Sequence, residues 1–318
     1  MIAHLCNGLG IACVLAASAL LTTLVVDRPA AGAGSAAPLA ERVATVVDAR
    51  GRGVPCGPYE RIVSLNPVAD HLLLQTVEPM RIRAISRVTD EQHPERWRFG
   101  GVAAVGHDEG VEAVLVLEPD LVIASPFVPD ALVSRLQEMD VPVFDLGEMR
   151  GLTTTRRSID QLGALLLAQD RARSLEHALA RDEAALLARG QALQRPGLYV
   201  SVYGDAFFGG TKGTSYSDVL RLAGVRDLAE EAGFEDWPRY AAEELLVLAP
   251  ELIVTRRGMA AAIRSHPILA ELPACGPDGR IVEIDGAYDG DAGLGVVQAA
   301  SELQQALLGS DRAHGEQR

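Results

Sequence analysis

Residues 150–194 read RGLTTTRRSIDQLGALLLAQDRARSLEHALARDEAALLARGQALQ. Proline is absent from Gly151 to Arg195, and the strong helix formers Ala, Leu, Arg, Gln and Glu dominate. Ile159, Leu162, Leu165 and Leu166 recur at helical spacing, as do Leu175, Leu179, Leu186 and Leu187. Gln169-Asp170 suits a joint between two helices. The second, Asp170 to Leu193, would run roughly 35 Å at about 1.5 Å per residue. Taken alone, the stretch is equally an ordinary amphipathic surface helix. Its position gives it weight, because the segments on either side look like two versions of one αβ unit.

The repetition is explicit. Glu112 to Ile123 reads EAVLVLEPDLVI and Glu243 to Val254 reads EELLVLAPELIV, aligned without a gap. In each half a Glu stands seven residues before the Pro that separates a short helix from a strand. The order predicted is one lobe, a helical connector and a second, related lobe. Ligands of such proteins sit in the crevice between lobes, at the carboxyl ends of strands.

The rest of the chain supplies those lobes. Val43 to Val54 reads as a β-hairpin around Asp48-Ala49-Arg50-Gly51. Strands are predicted at 61–65, 82–86, 121–124 and 141–145, with helices at 69–76, 112–117 and 132–139. Residues 87–106 read as a polar loop. After the connector come strands at 198–202, 252–255 and 281–284, and helices at 216–223, 242–248, 266–272 and 293–308. Gly224 stands where a helix ends. Short apolar strands alternating with helices imply a parallel sheet covered on both faces, hence an α/β fold.

The formal net charge of −14 argues against a nucleic-acid surface. Leu9 to Val26 carries no charge and is followed by a small-residue run ending in an Ala31-Gly32-Ala33 type cleavage site. Residues 1–33 therefore read as an export signal, or as a membrane anchor if left uncleaved. Of the four cysteines, Cys6 and Cys13 fall in this leader. Cys56 and Cys275 would meet an oxidising compartment, where either a disulfide or two separate thiols is open.

With these elements in place, the chain resembles the substrate-binding proteins of ABC importers that carry iron–siderophore, haem or cobalamin, the helical-backbone metal receptors. The resemblance rests on five segments in order: residues 43–67, 111–125, 213–233, 241–254 and 265–285. Within them lie VVDARGRGV, RIVSLNP, VEAVLVLEPDLVIAS and GTSYSDVLRLAGVRDLAEEAG. It implies two Rossmann-like lobes joined by a single long α-helix, with a ligand cleft between them and only slight closure. The expected layout is a leading hairpin and linker at 34–58 and a first lobe at 59–150. The connector at 151–194, a second lobe at 195–310 and a tail at 311–318 complete it. The resemblance also implies that Glu112 and Glu243, one per lobe, engage arginines of the permease dimer, with Glu244 an alternative. Carboxylate–guanidinium pairs suit that task because they are directional. The protein would be a periplasmic or envelope-located monomer, and no enzyme. The alternative is an envelope-anchored, ligand-sensing receptor of the same fold without an importer. The chain departs from the family wording at His71, where Glu is common, and through residues 87–106.

Ligand-binding candidates are loop aromatics, arginines and strand ends: Asn66, Trp97, Ser125, Tyr203, Phe207, Tyr216, Trp237, Arg239, Tyr240 and Arg257. Phe208 and Arg256 lie beside them. Trp97, with Asp90, His93 and Arg98, would form a rim. His93 or Tyr216 could coordinate the metal of a haem or cobalamin. A receptor for bare manganese or zinc would need several His and carboxylates, and His4 and His314 reduce the stock of seven His, so no direct metal site and no resident cofactor are expected. Enzyme motifs such as G-x-S-x-G, the P-loop and G-x-G-x-x-G are absent, and Gly209 to Gly213 reads as a flexible loop.

Overall fold

The computed structural model describes residues 44–315 apart from 94, 205, 278 and 286–290, with side chains as far as residue 309. The leader lies outside the described residues. Among those described, no helix is long and apolar enough to cross a membrane.

The hairpin forms as expected. Strands β1 (Thr45–Val47) and β2 (Gly53–Pro55) pair antiparallel. The Asp48 carboxylate accepts the Arg50 and Arg52 amides at the turn. The hairpin docks on the first lobe: the Ala49 amide donates to the Asp145 carbonyl at 2.9 Å and the Arg50 Nε to the Asp145 carboxylate at 2.6 Å.

The first lobe is a five-stranded parallel sheet. In chain order its strands are β3 (Ile62–Ser64), β4 (Ile82–Ser86), β5 (Ala103–Val105), β6 (Leu121–Ala124) and β7 (Val143–Asp145), and in space they run β5-β4-β3-β6-β7. The central strands β3 and β6 are wholly buried, as continuous apolar runs require when both faces are covered. Helices α1 (Pro67–Thr76), α2 (Arg87–Gln92), α3 (Val111–Leu115) and α4 (Asp130–Glu138) make the crossovers. Strand order reverses between β3 and β6, the position where doubly wound sheets open a crevice.

Two helices follow, α5 (Leu152–Leu165) and α6 (Gln169–Gly190). The break falls at Leu166–Ala168, three residues before the expected joint, and Leu167 there adopts a positive φ of 54°. α5 packs on α1 and β1, so it belongs with the first lobe. α6 packs on α1 of the first lobe and on two helices of the second, α7 (Ser215–Ala223) and the final helix described below. Glu183 on α6 pairs with Arg156 of α5 and with Arg221 of α7, the latter at 3.1 Å. The strut is therefore tied to both lobes.

The second lobe repeats the plan with four parallel strands: β8 (Arg195–Tyr199), β11 (Val225–Asp227), β13 (Leu252–Arg256) and β14 (Arg280–Ile284), in the order β11-β8-β13-β14. A small antiparallel sheet of β9 (Ser201–Tyr203), β10 (Ala206–Phe208) and β12 (Arg239–Tyr240) stands beside it. Helices α8 (Leu228–Glu231), α9 (Ala242–Leu248) and α10 (Ala260–Ser265) connect strands, and α11 (Gly295–Gly315) ends the fold. Gly224 caps α7 at φ 81°, and a Cβ there would lie 2.3 Å from the Gly190 carbonyl oxygen at the end of α6. Only glycine allows that approach.

The two echo segments occupy equivalent places. α3 precedes β6 and α9 precedes β13, and both strands are central in their sheets. The hairpin, β4, β6 and α9 form where the sequence predicts. The stretch 87–106 is not a simple loop: it holds α2, a 3-10 turn at Arg96–Phe99 and β5. Cys56 and Cys275 are free thiols.

Candidate functional site

The lobes meet along three segments. Asn66 opens α1, its Oδ1 accepting the Val68 and Ala69 amides at 3.0 and 3.3 Å, with Pro67 favourable in the first turn. Its Nδ2 donates to the Ala124 carbonyl at 3.4 Å, across the point where strand order reverses. From the second lobe, residues 291–295 lead into α11 and lie against α1: a Cβ on Gly293 would overlap the Val68 side chain. The Thr155 hydroxyl of α5 donates to the Ala292 carbonyl at 3.3 Å.

On the other side of the connector, Arg150 leaves the first lobe and reaches the second. Its guanidinium donates to the Asp236 carboxylate at 2.5 Å and lies 4.8 Å from the Trp237 ring centroid. The Leu152 amide, at the start of α5, donates to Asp218 of α7 at 2.8 Å.

Beside α1 lies a small polar cavity of about 50 Å³. His71, Gln75, His93, Glu95 and Arg98 line it from the first lobe, and Asp291, Leu294, Gly295 and Gln298 from the second. The His71 and His93 rings are 3.9 Å apart, tilted by 43°, and Phe99 meets His71 edge-on at 5.7 Å. His71 is 6% exposed, and its Nε2 is buried with no hydrogen-bond partner. Burial, reinforced by His93 and Arg98, depresses the His71 imidazole to about 3. Burial also lowers His93. Both rings are thereby held neutral at physiological pH, the form that binds metals.

Asp291 faces them. Its Oδ1 accepts the Gly293 amide at 2.8 Å and its Oδ2 the Gly295 amide at 2.9 Å. Burial still raises its carboxyl to about 6 against those two hydrogen bonds. Asp70, next to His71 in sequence, is fully buried. Its Oδ2 accepts the Thr89 hydroxyl at 2.6 Å and the Ser86 amide at 3.0 Å. Oδ1 has no partner, and the Ser64 hydroxyl donates to the Asn66 carbonyl instead. Burial first, and then the charge of Asp291, raise Asp70 to about 8.

The sequence candidates divide by environment. Trp97, Tyr203 and Trp237 are exposed, with Trp97 at 74%. Arg239 is exposed. Arg257 is exposed too but paired with Asp285 and Glu302, at 3.4 and 2.9 Å. Tyr216 is half-buried and stacks on Tyr199 at 4.0 Å. Ser125 is buried at the end of β6. Three candidates sit in more ordered surroundings than a loop. Asn66 is committed to the helix cap and the strand crossing. Phe207 and Tyr240 lie on paired strands in the second-lobe core, against His266 and Phe234. Glu112 and Glu243 stand exposed in the first turns of α3 and α9. Glu244 accepts the Ala241 amide at 2.7 Å and so serves its own helix.

No sequence motif joins His71, His93 and Asp291, and His93 stands out in the sequence only by itself. The three donors lie up to 220 residues apart in the numbering, and only the departure at His71 marked the place.

A family model described as periplasmic binding protein matches residues 102–288. No curated protein matches the chain. Among solved structures, the periplasmic haem-binding protein HutB of Vibrio cholerae is similar at 22% identity and TM-score 0.68, covering 78% of this chain and 98% of that one. RhuT from Roseiflexus sp. RS-1 follows at 19% and 0.66, covering 78% and 99%. BhuT, solved with two haems, follows at 23% and 0.64, covering 79% and 98%. At these identities the structures speak for the fold alone. With the family match over more than half of its length, the chain belongs to the periplasmic binding proteins and is a substrate-binding protein, not an enzyme.

Proposed function

We propose that the protein is exported, captures a metal chelate of the haem, iron–siderophore or cobalamin class between its lobes, and hands it to the permease dimer of an ABC importer as a monomer. One observation carries the reading: two parallel-sheet lobes, each with a reversal of strand order, are held across a common junction by the single helix α6. A crevice between two such lobes, at the points where strand order reverses, is where a ligand is held. Trp97, Tyr203, Trp237 and Arg239 offer exposed aromatic and cationic surface of the kind a flat, anionic chelate needs. Glu112 and Glu243 would present one carboxylate per lobe to the permease, an arrangement that reads both lobes at once. The solved relatives named for haem make haem the first ligand to try.

The test is an absorption titration of the full chain with haem, a ferric siderophore and cobalamin. One of them should bind with a Kd below micromolar. Failure of all three overturns the chelate reading.

A further inference from the structure

The cavity beside α1 is too small for any chelate named above. At about 50 Å³ it has room for an ion and a water, since about 10–15 Å³ of such space holds one water. Its lining is nevertheless chemically specific. One donor atom from each of His71, His93 and Asp291 lies within 4.8 Å of the others. In a tetrahedral site, donors about 2.0–2.2 Å from the ion lie about 3.3–3.6 Å apart, so the set must close by about 1.2–1.5 Å at its widest pair.

Two of the donors are prepared for that role by their surroundings, while the Nδ1 of His93 accepts the Glu95 amide at 3.2 Å. The Nε2 of His71 is buried without a partner, an arrangement that costs free energy until something occupies the lone pair. The Asp291 carboxylate is fixed by two backbone N–H donors, and each oxygen keeps a further lone pair. Glycine at 293 and 295 makes that wrap feasible, because a Cβ at either position would lie 2.9 or 2.6 Å from Asp291 atoms. Behind the donors sits Asp70, a second buried carboxylate with an unpartnered oxygen. A packed histidine pair alone would call for none of these carboxylates. Two imidazoles and a carboxylate suit first-row transition metals, whereas calcium and magnesium favour all-oxygen sets.

We propose that His71, His93 and Asp291 form a binding site for a single first-row transition-metal ion, which clasps α1 of the first lobe to the head of α11 in the second. The ion site lies at the same junction between the lobes as the proposed chelate capture, and its test, made with a bare ion, needs no chelate.

The experiment uses the full chain, stripped with a chelator and free of haem. Calorimetric titration with zinc(II) should give one equivalent with a Kd below micromolar, and cobalt(II) should give visible d–d bands of a low-coordinate site. His93→Gln, at a half-buried position that tolerates change, should weaken zinc binding by 100-fold or more. His71→Asn should do the same, with circular dichroism confirming that it folds. Absence of stoichiometric zinc binding by the wild type overturns the proposal, as does unchanged affinity in folded His93→Gln. Loss of zinc binding in a variant that still takes up a chelate leaves the importer reading intact.

Discussion

Glu118 and Ala249 share one backbone state. Each lies in the left-handed region, at φ 49° and 45°, one residue before the proline that separates helix from strand in its lobe. A coincidence of composition would not place two non-glycine residues in the same disfavoured region at matching positions. The sequence echo is therefore a structural equivalence of the lobes. Left-handed backbone costs a residue with a Cβ about 1–2 kcal/mol, part of which glycine returns through its freer unfolded chain. Ala249→Gly and Glu118→Gly should each raise stability, by about 0.5 kcal/mol, in denaturant melts. Destabilisation by either would contradict the strain.

Gln304 joins three helices. Its Nε2 donates to the Leu186 and Leu222 carbonyls at 2.9 and 3.3 Å, and its Oε1 accepts the Arg189 Nε at 2.8 Å. The side chain is 1% exposed. Gln304→Leu keeps the bulk but strands buried carbonyls near the ends of α6 and α7, at a cost of roughly 2–4 kcal/mol. Chemical denaturation measures it. A neutral result would remove Gln304 from the account of how α6 is fastened.

The hairpin carries an acid-sensitive contact. Burial pushes the Asp48 carboxyl up, but hydrogen bonds from the Arg52 side chain and amide, with that of the Arg50 amide, outweigh it and hold the group below its ordinary 3.8. A lowered carboxylate contributes stability above its unfolded pKa and loses it as pH falls through the folded value. The stability difference between wild type and Asp48→Asn should be full at pH 7 and shrink below pH 3.8. Thermal melts across that range check the sign. A difference that grows on acidification would contradict it.

Glu112 and Glu243 are exposed and, among the described residues, take part in no ion pair. In the proposed docking, each exposed contact with a permease arginine would be worth only about 0–1 kcal/mol, so single changes should be mild. Reversal of both, Glu112→Arg with Glu243→Arg, replaces attraction by repulsion in each lobe. Uptake in the native cell should fall by an order of magnitude or more while ligand affinity stays unchanged. Lost affinity would put the carboxylates in the cleft instead.

Much of the architecture was legible because it follows from pattern. Leu121 to Ala124 is an apolar run bounded by Pro119 and Pro126, and only a doubly covered strand suits it. The connector was legible from its missing prolines, and its division into α5 and α6 was displaced by three residues because Leu167, not the polar Gln169-Asp170 pair, takes the unusual backbone. The stretch 87–106 reads as a loop because its polar composition conceals α2 and β5, which are anchored by few buried residues, among them Thr89 and Val105. Phe207 and Tyr240 read as loop residues for another reason: strands of three and two residues carry too little periodicity to distinguish from loops. The contacts of His71 with His93 and Asp291 depend on how the lobes meet, which no local pattern encodes.

The central claim is that one ligand is held by both lobes. Trp97 belongs to the first and Trp237 to the second, and no other tryptophan is present. Two single-tryptophan proteins, Trp97→Phe and Trp237→Phe, should be titrated with the chelate that binds the wild type, by fluorescence. The account predicts that both emission signals change with one common Kd and saturate at one equivalent. A response from one tryptophan only, with the other silent at saturation, would contradict capture between the lobes.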